Sequence, residues 1–286
     1  MIAWLCDIAK LNLKRAGMYS NDRELSPVNF ILNVLHVLHN MCKKIDVGKV
    51  DINYLFHPQC RTAPGNETTL LADNDQLAEV KSSMMHQDPK FPTECVWLTA
   101  LYHHIALLPQ CRKLERFMKE LFNITRELKR IREAVPSNDA EKRQQKMIQE
   151  RMEKQMRLFV MLVICNEACI FSEPCLESSI DFYARFTTVL MTHLSPSNPE
   201  SPELPLSPSP PGSWSCLNEC LLEDLIDYTI FIARHTLPLL HQIFQKYPIM
   251  VTFIITVTCS PNYFRNPYLV AKFIELIFTV HPRFDI

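Results

Sequence analysis

Glycine is nearly missing. The 286 residues hold four, at Gly17, Gly48, Gly65 and Gly212, with no two close together. A phosphate-cradling loop or a dinucleotide fingerprint needs clustered glycines, so that backbone N–H groups can approach the anion. Neither site fits this sequence, and scarce glycine also argues against a turn-rich all-β protein. A surplus of one charge is missing too. Lys and Arg number 30 against 31 Asp and Glu, a formal net charge of −1. Nucleic-acid binding wants a clearly basic face, so no nucleic-acid partner is expected. Long apolar runs are absent as well. The longest, Leu158–Cys165 and Ile249–Cys259, are far shorter than the roughly 20 residues that cross a bilayer. The opening MIAWLCDIAKLNLKRAG has no basic lead, long apolar run and small-residue cleavage site. No membrane partner is expected.

Cysteine, by contrast, is plentiful. Eleven residues, an odd number without a secretory signal, fit free thiols in a reducing compartment. The expected location is the cytoplasm and nucleus. Apolar residues make up 47% of the chain, enough for a sizeable core in one large domain or two ordinary ones.

The pattern reads as helix after helix. Trp4, Leu5, Ile8 and Leu11 mark a first amphipathic segment that Gly17 ends. Ser26 as N-cap and Pro27 in the first turn start a second, with Phe30, Ile31, Val34, Leu35, Leu38 and Met41 inward. A short helix or turn at Val50–Phe56 stops at His57-Pro58, and Asn74–Met85 is a weaker, polar helix. Thr93 caps a helix that buries Val96, Trp97, Leu101, Ile105 and Leu108 and ends near Pro109. Leu114, Phe117, Leu121, Ile124, Leu128 and Ile131 form the next stripe. After a turn at Pro136–Asp139 comes another, Ile148, Met152, Met156, Phe159 and Val163, on a helix reaching Phe171. Pro174 opens a helix with Leu176, Ile180, Tyr183, Phe186 and Leu190. Leu221, Leu222, Leu225 and Ile226 begin one that Pro238 kinks or divides. Ile249–Val257 is β-branched but is read as helix, because a lone strand has no partner here.

Ser195 to Gly212, SPSNPESPELPLSPSPPG, carries seven prolines and few large apolar groups. It cannot bury enough surface to offset its ordering entropy, so a flexible, extended insert is expected. Its SPSPP run suits either a proline-reading domain or phosphorylation, and an unconstrained spacer is the plainer reading.

The most informative stretch is Pro261–Phe278, PNYFRNPYLVAKFIELIF. Asn266 is a good N-cap and Pro267 suits the first helical position. Leu269, Val270, Phe273, Ile274, Ile277 and Phe278 then make an apolar face, with Lys272 and Glu275 off its centre. Periodicity explains this helix but not the Asn-Tyr-Phe-Arg-Asn-Pro-Tyr that opens it. That wording resembles the core of the ubiquitin conjugation factors, U-box ligases that lengthen ubiquitin chains. Three other places resemble the same family, in its order: Ser26-Pro27-Val28-Asn29-Phe30 through Leu38; Asp51–Pro58 followed by Cys60-Arg61; and Lys90-Phe91-Pro92-Thr93-Glu94-Cys95. The middle, roughly 112–260, matches weakly.

The resemblance implies an all-α, armadillo-like helical solenoid of stacked helical hairpins with one Pro/Ser-rich insert. No residue-level repeat is visible, so the solenoid rests on the helices plus the family. The expected organisation is an N-terminal part of the core at 1–194, the insert at 195–213 and a continuation at 214–286 that stops before the U-box. The implied role is a scaffold in polyubiquitination that feeds proteasomal degradation. Its implied partners are a ubiquitin-conjugating enzyme (through the missing U-box), ubiquitinated substrates and a segregase AAA ATPase. A helical adaptor with no ubiquitin role is the alternative.

Candidate chemistry is thin. Cys165, Cys169 and Cys175, with Cys216 and Cys220 later, lack the tight loop pairs of a zinc site. Cys165 and Cys169, one turn apart in an apolar run, read as core packing. His103 and His104, adjacent on a helix, point about 100° apart and do not converge on one metal. His57-Pro58 reads as a structural turn. No catalytic residue, metal site or cofactor is expected. Arg112–Arg157, with fourteen basic and eight acidic residues, reads as a solvated helical hairpin rather than a binding face. Arg265 and Lys272 are the residues near the signature expected to reach solvent or a partner.

Overall fold

The computed structural model describes residues 1–17, 24–63, 68–83 and 88–280. Among these the fold is all-α, with no strand and one isolated bridge, between Thr69 and Asn218. The helices are α1 (Ile2–Leu11), α2 (Val28–Cys42), α3 (Asn74–Ser83), α4 (Phe91–Tyr102), α5 (Leu108–Glu133), α6 (Asp139–Ile170), α7 (Glu173–Leu194), α8 (Gly212–Ser215), α9 (Glu219–His235), α10 (Leu237–Lys246), α11 (Pro248–Thr258) and α12 (Pro267–Val280). One 3₁₀ turn, Leu13–Ala16, follows α1, and two, Val47–Lys49 and Ile52–Phe56, follow α2. The β-branched Pro248–Thr258 is a helix, as its lack of a strand partner requires. The Met85 end of the third helix and the chain after Val280 lie outside the described residues.

The chain divides into two compact units, Met1–Leu108 with Glu177–Ile286, and Pro109–Leu176. In the first, α2 lies along α4, and α1 joins them through the Tyr102 hydroxyl, which donates to the Leu5 carbonyl at 3.0 Å. A row of rings links α4, α7 and α9. Trp97 meets Phe186 edge-on at 5.5 Å, Phe186 stacks on Phe182 at 5.8 Å, Phe182 on His103 at 4.7 Å, and Tyr183 on Tyr228 at 5.2 Å. Each such pair contributes about 0.5–1.5 kcal/mol beyond its burial. Further on, α9 packs against α10 and α12, with α11 between the last two.

The second unit is the α5/α6 hairpin. Arg132 reaches Glu153 across it at 2.9 Å, and Phe117 meets Phe159 edge-on at 5.9 Å. Asn138 caps α6 by accepting the Glu141 N–H at 2.8 Å, while Glu141 accepts the Ser137 N–H at 2.8 Å. This is the reciprocal logic of a capping box.

Several faces differ from the sequence reading. In α1 the inward residues are Ile2, Leu5, Cys6 and Ala9, and Trp4 and Leu11 are exposed. In α12 they are Leu269, Phe273 and Leu276, which leaves Ile274 and Phe278 outside. Ser26 and Thr93 are not caps. Ser26 Oγ accepts from the Asn12 amide, and Thr93 Oγ1 accepts the Asp51 N–H and donates to the Lys49 carbonyl. Pro109 does not end a helix. His103–Leu107 form a π turn, and α5 starts at Leu108. In an α-helix the Ile105 carbonyl would pair with the N–H that Pro109 lacks. Ile105 lies inside the π turn, where that pairing shifts by one residue.

Candidate functional site: the signature loop and the polar seam

The Asn-Tyr-Phe-Arg-Asn-Pro-Tyr wording is spent mostly on holding chain segments together. The Arg265 N–H donates to the Leu70 carbonyl at 2.8 Å, and Leu70 N–H in turn donates to Leu217 at 2.8 Å. Leu71 and Ala72 N–H groups both meet the Ser215 carbonyl, and Glu219 N–H meets Thr68. Three strips of chain, 68–72, 215–219 and the loop at 261–266, are thereby braided without a sheet. Phe264 and Tyr263 are buried against Trp214, with ring centroids at 6.3 Å each. Trp214 is fully buried and its indole N–H donates to the Tyr263 carbonyl at 3.3 Å. Asn266 caps α12 by accepting the Tyr268 N–H at 3.0 Å, and its amide donates to Glu219 at 3.2 Å. Asn262 donates to the Pro208 carbonyl at 3.1 Å, and the Tyr263 hydroxyl to the Ser207 carbonyl at 3.0 Å.

The two sequence-selected contact residues sit differently. Arg265 has an exposed side chain. Lys272 is half-buried, and its ammonium donates to Glu223 and Asp227 of α9, at 2.7 Å each. Burial pulls the Lys272 pKa down, but the two carboxylates outweigh it and raise it overall. Tyr268, beside Lys272 at 5.2 Å, is exposed, as are Ile274 and Phe278.

A second polar feature escaped the sequence reading. Between α2 and α4 runs a buried seam. His39 and His103 share a hydrogen bond between their Nε2 atoms at 2.7 Å. One turn away, Cys42 Sγ lies 3.1 Å from Thr99 Oγ1 and 3.8 Å from Cys95 Sγ. Burial, then the charges of His36 and Lys43, push His39 down to about 3; burial, then His39, pushes His103 down too. Both rings are therefore neutral at pH 7, one donating and one accepting. His103 Nδ1 is buried with no partner among the described residues. The signal was present in the spacing. His39 and Cys42 share one face of α2, and Cys95, Thr99 and His103 share one face through α4 and the π turn.

His103 and His104 diverge as their adjacency requires. His104 Nδ1 pairs instead with Asp224 at 2.8 Å. His57 Nδ1 accepts the Gln59 N–H at 3.0 Å, so His57 serves a turn. Cys216 and Cys220 are buried, but Cys165 and Cys169 are exposed. This corrects their reading as core residues. The inward stripe of α6 passes through Val163 and Ile170, which turns both thiols outward. Among the described residues no three His, Cys, Asp or Glu side chains gather as metal ligands. No single helix there is long and apolar enough to cross a membrane.

The geometry defines a helical structural element whose most distinctive loop braces the packing of α8, α9 and α12. Residues 1–285 match the model of the ubiquitin elongating factor core, and the chain belongs to that family. It is 22% identical to the ubiquitin conjugation factor E4 ufd-2 of Caenorhabditis elegans, over 98% of this chain and 29% of the relative. It is 29% identical to a probable ubiquitin conjugation factor E4 of Arabidopsis thaliana, over 77% and 21%. It is 24% identical to the ubiquitin conjugation factor E4 of Schizosaccharomyces pombe, over 95% and 28%. The chain thus spans roughly a fifth to a third of the length of these curated relatives.

Proposed function

We propose that this chain is a scaffold segment of a ubiquitin chain-elongating ligase, built as stacked helical hairpins of the armadillo kind. The family match over residues 1–285 carries the reading. In a U-box ligase the protein contributes orientation, not a covalent nucleophile, so catalysis rests on proximity. A braced helical body suits that task, holding an already tagged substrate and a charged conjugating enzyme within reach. Its partners are then ubiquitinated proteins, the conjugating enzyme docked through a U-box, and a segregase AAA ATPase, in cytoplasm and nucleus. The output is polyubiquitination that leads to proteasomal degradation.

The test is a reconstituted reaction with activating enzyme, conjugating enzyme, ubiquitin and a monoubiquitinated substrate. The 286-residue chain alone is expected to give no chain growth, whereas a ubiquitin conjugation factor E4 that carries a U-box extends the chain. Robust elongation by the 286-residue chain would refute the division of labour. A chain that recovers no ubiquitinated protein, segregase or ubiquitin in pull-downs would refute the ubiquitin role itself.

A further inference from the structure

The insert between α7 and α8 contains four Ser-Pro dipeptides, at Ser195, Ser201, Ser207 and Ser209. The structure treats them unequally. Ser195 is half-buried and its hydroxyl donates to the Asn198 carbonyl at 3.2 Å. Ser201 is exposed and its hydroxyl is also unbonded among the described residues, but its own N–H is tied to Asn198 Oδ1 at 3.2 Å and no side chain of the signature loop holds its backbone. Ser207 and Ser209 are exposed, and neither hydroxyl takes part in a hydrogen bond among the described residues. Their segment is held by its backbone instead. The Ser207 and Pro208 carbonyls accept from Tyr263 and Asn262 of the signature loop. The anchored strap therefore turns its acceptor carbonyls inward and leaves two hydroxyls outward. A residue before proline is biased to extended backbone. Ser207, Ser209 and Pro210 all precede proline; the chain bends at Pro208 and Ser209 and is extended at Pro211, with φ −56° and ψ 139°, a polyproline conformation.

We propose that Ser207 and Ser209 are phosphoacceptors for a proline-directed serine kinase, presented by the anchored strap. In the transfer, the serine Oγ attacks the γ-phosphorus of ATP and the bond to the β–γ bridging oxygen breaks. ADP leaves, and the hydroxyl proton passes to the kinase base. Each phosphate adds about −1.5 to −2 charges, so the pair adds about −3 to −4 to a chain whose formal net charge is −1. That charge falls on the strap that the signature loop holds. Neither hydroxyl is already bonded, so modification breaks no contact.

The experiment incubates the whole chain with Mg-ATP and a proline-directed kinase, then maps phosphate by peptide mass spectrometry over a time course. Phosphate is expected first on Ser207 and Ser209, with Ser195 and Ser201 slower, and S207A/S209A is expected to lose most of the early incorporation. A kinase that prefers basic flanks should leave both serines unmodified. No phosphate in the insert, or equal rates at all four serines, would overturn the proposal. The presentation argument has its own control. N262A/Y263F removes both anchors, and the preference for Ser207 and Ser209 over Ser201 is then expected to shrink; an unchanged preference sinks the role of the strap.

Discussion

At the scale of single residues, Lys272 shows how a surface-looking charge becomes internal. Its position on α12 places it beside two α9 carboxylates one turn apart, and the three groups compensate each other within hydrogen-bond distance. Exposed pairs contribute roughly 0–1 kcal/mol, while breaking a buried pair costs about 3–5 kcal/mol. Lys272 lies between these limits, with its side chain 12% exposed against Glu223 at 38% and Asp227 at 21%. Lys272→Ala is therefore expected to lower unfolding free energy by about 1–2 kcal/mol, because it leaves two carboxylates facing each other. Urea titrations of both proteins measure it. In about 1 M salt, where the Debye length falls to about 3 Å, the difference should narrow. A loss that salt leaves untouched would mean the lysine acts through its aliphatic stem.

At the scale of elements, Trp214 is the hub. It sits in the four-residue helix α8, yet it touches Tyr263 and Phe264, and Phe264 in turn meets Phe273 of α12 at 5.8 Å. Trp214→Ala is expected to cost about 3–5 kcal/mol, the range for emptying a large aromatic site. Trp214→Phe keeps a ring but forfeits the bond to the Tyr263 carbonyl, and should cost about 1–2 kcal/mol. Denaturant unfolding ranks the two, and a near-neutral Trp214→Ala would deny the hub. The sequence showed α9 and α12 beside this hub, because apolar periodicity is a local property, but it missed α8, whose four residues are too few to make a stripe. It did not show the braid, whose partners at 68–72, 215–219 and 261–266 lie up to about two hundred positions apart and meet through backbone groups. The inward face of α1 was misjudged for a related reason. Large apolar residues such as Trp4 and Leu11 weigh heavily in a stripe, but small ones, Cys6 and Ala9, are buried there beside Ile2 and Leu5.

At the scale of the whole molecule, the same logic explains why the helical class was legible and the polar seam was not. A histidine or cysteine in an apolar helix reads as one more core position until a second helix brings its counterpart opposite. The His39–His103 pair has a consequence for global stability whose sign is fixed. Both folded-state pKa values are depressed, His39 to about 3, below the ordinary value of 6.5. Between about pH 6.5 and 3 the unfolded chain binds protons that the folded pair refuses, so unfolding free energy rises with pH across that window and the stability of the seam is lost as pH falls through it. Each ring contributes a slope of up to about 1.4 kcal/mol per pH unit. Above about pH 7 the pair contributes no slope. H39L/H103L, which replaces both proton acceptors with apolar groups, is expected to flatten the acid limb of a plot of unfolding free energy against pH. Comparable stability at neutral pH is expected, since an apolar replacement of a buried polar pair leaves no group unsatisfied. An acid limb as steep in the double variant as in the parent would assign the acid sensitivity to carboxylates elsewhere and leave the histidine pair as packing alone.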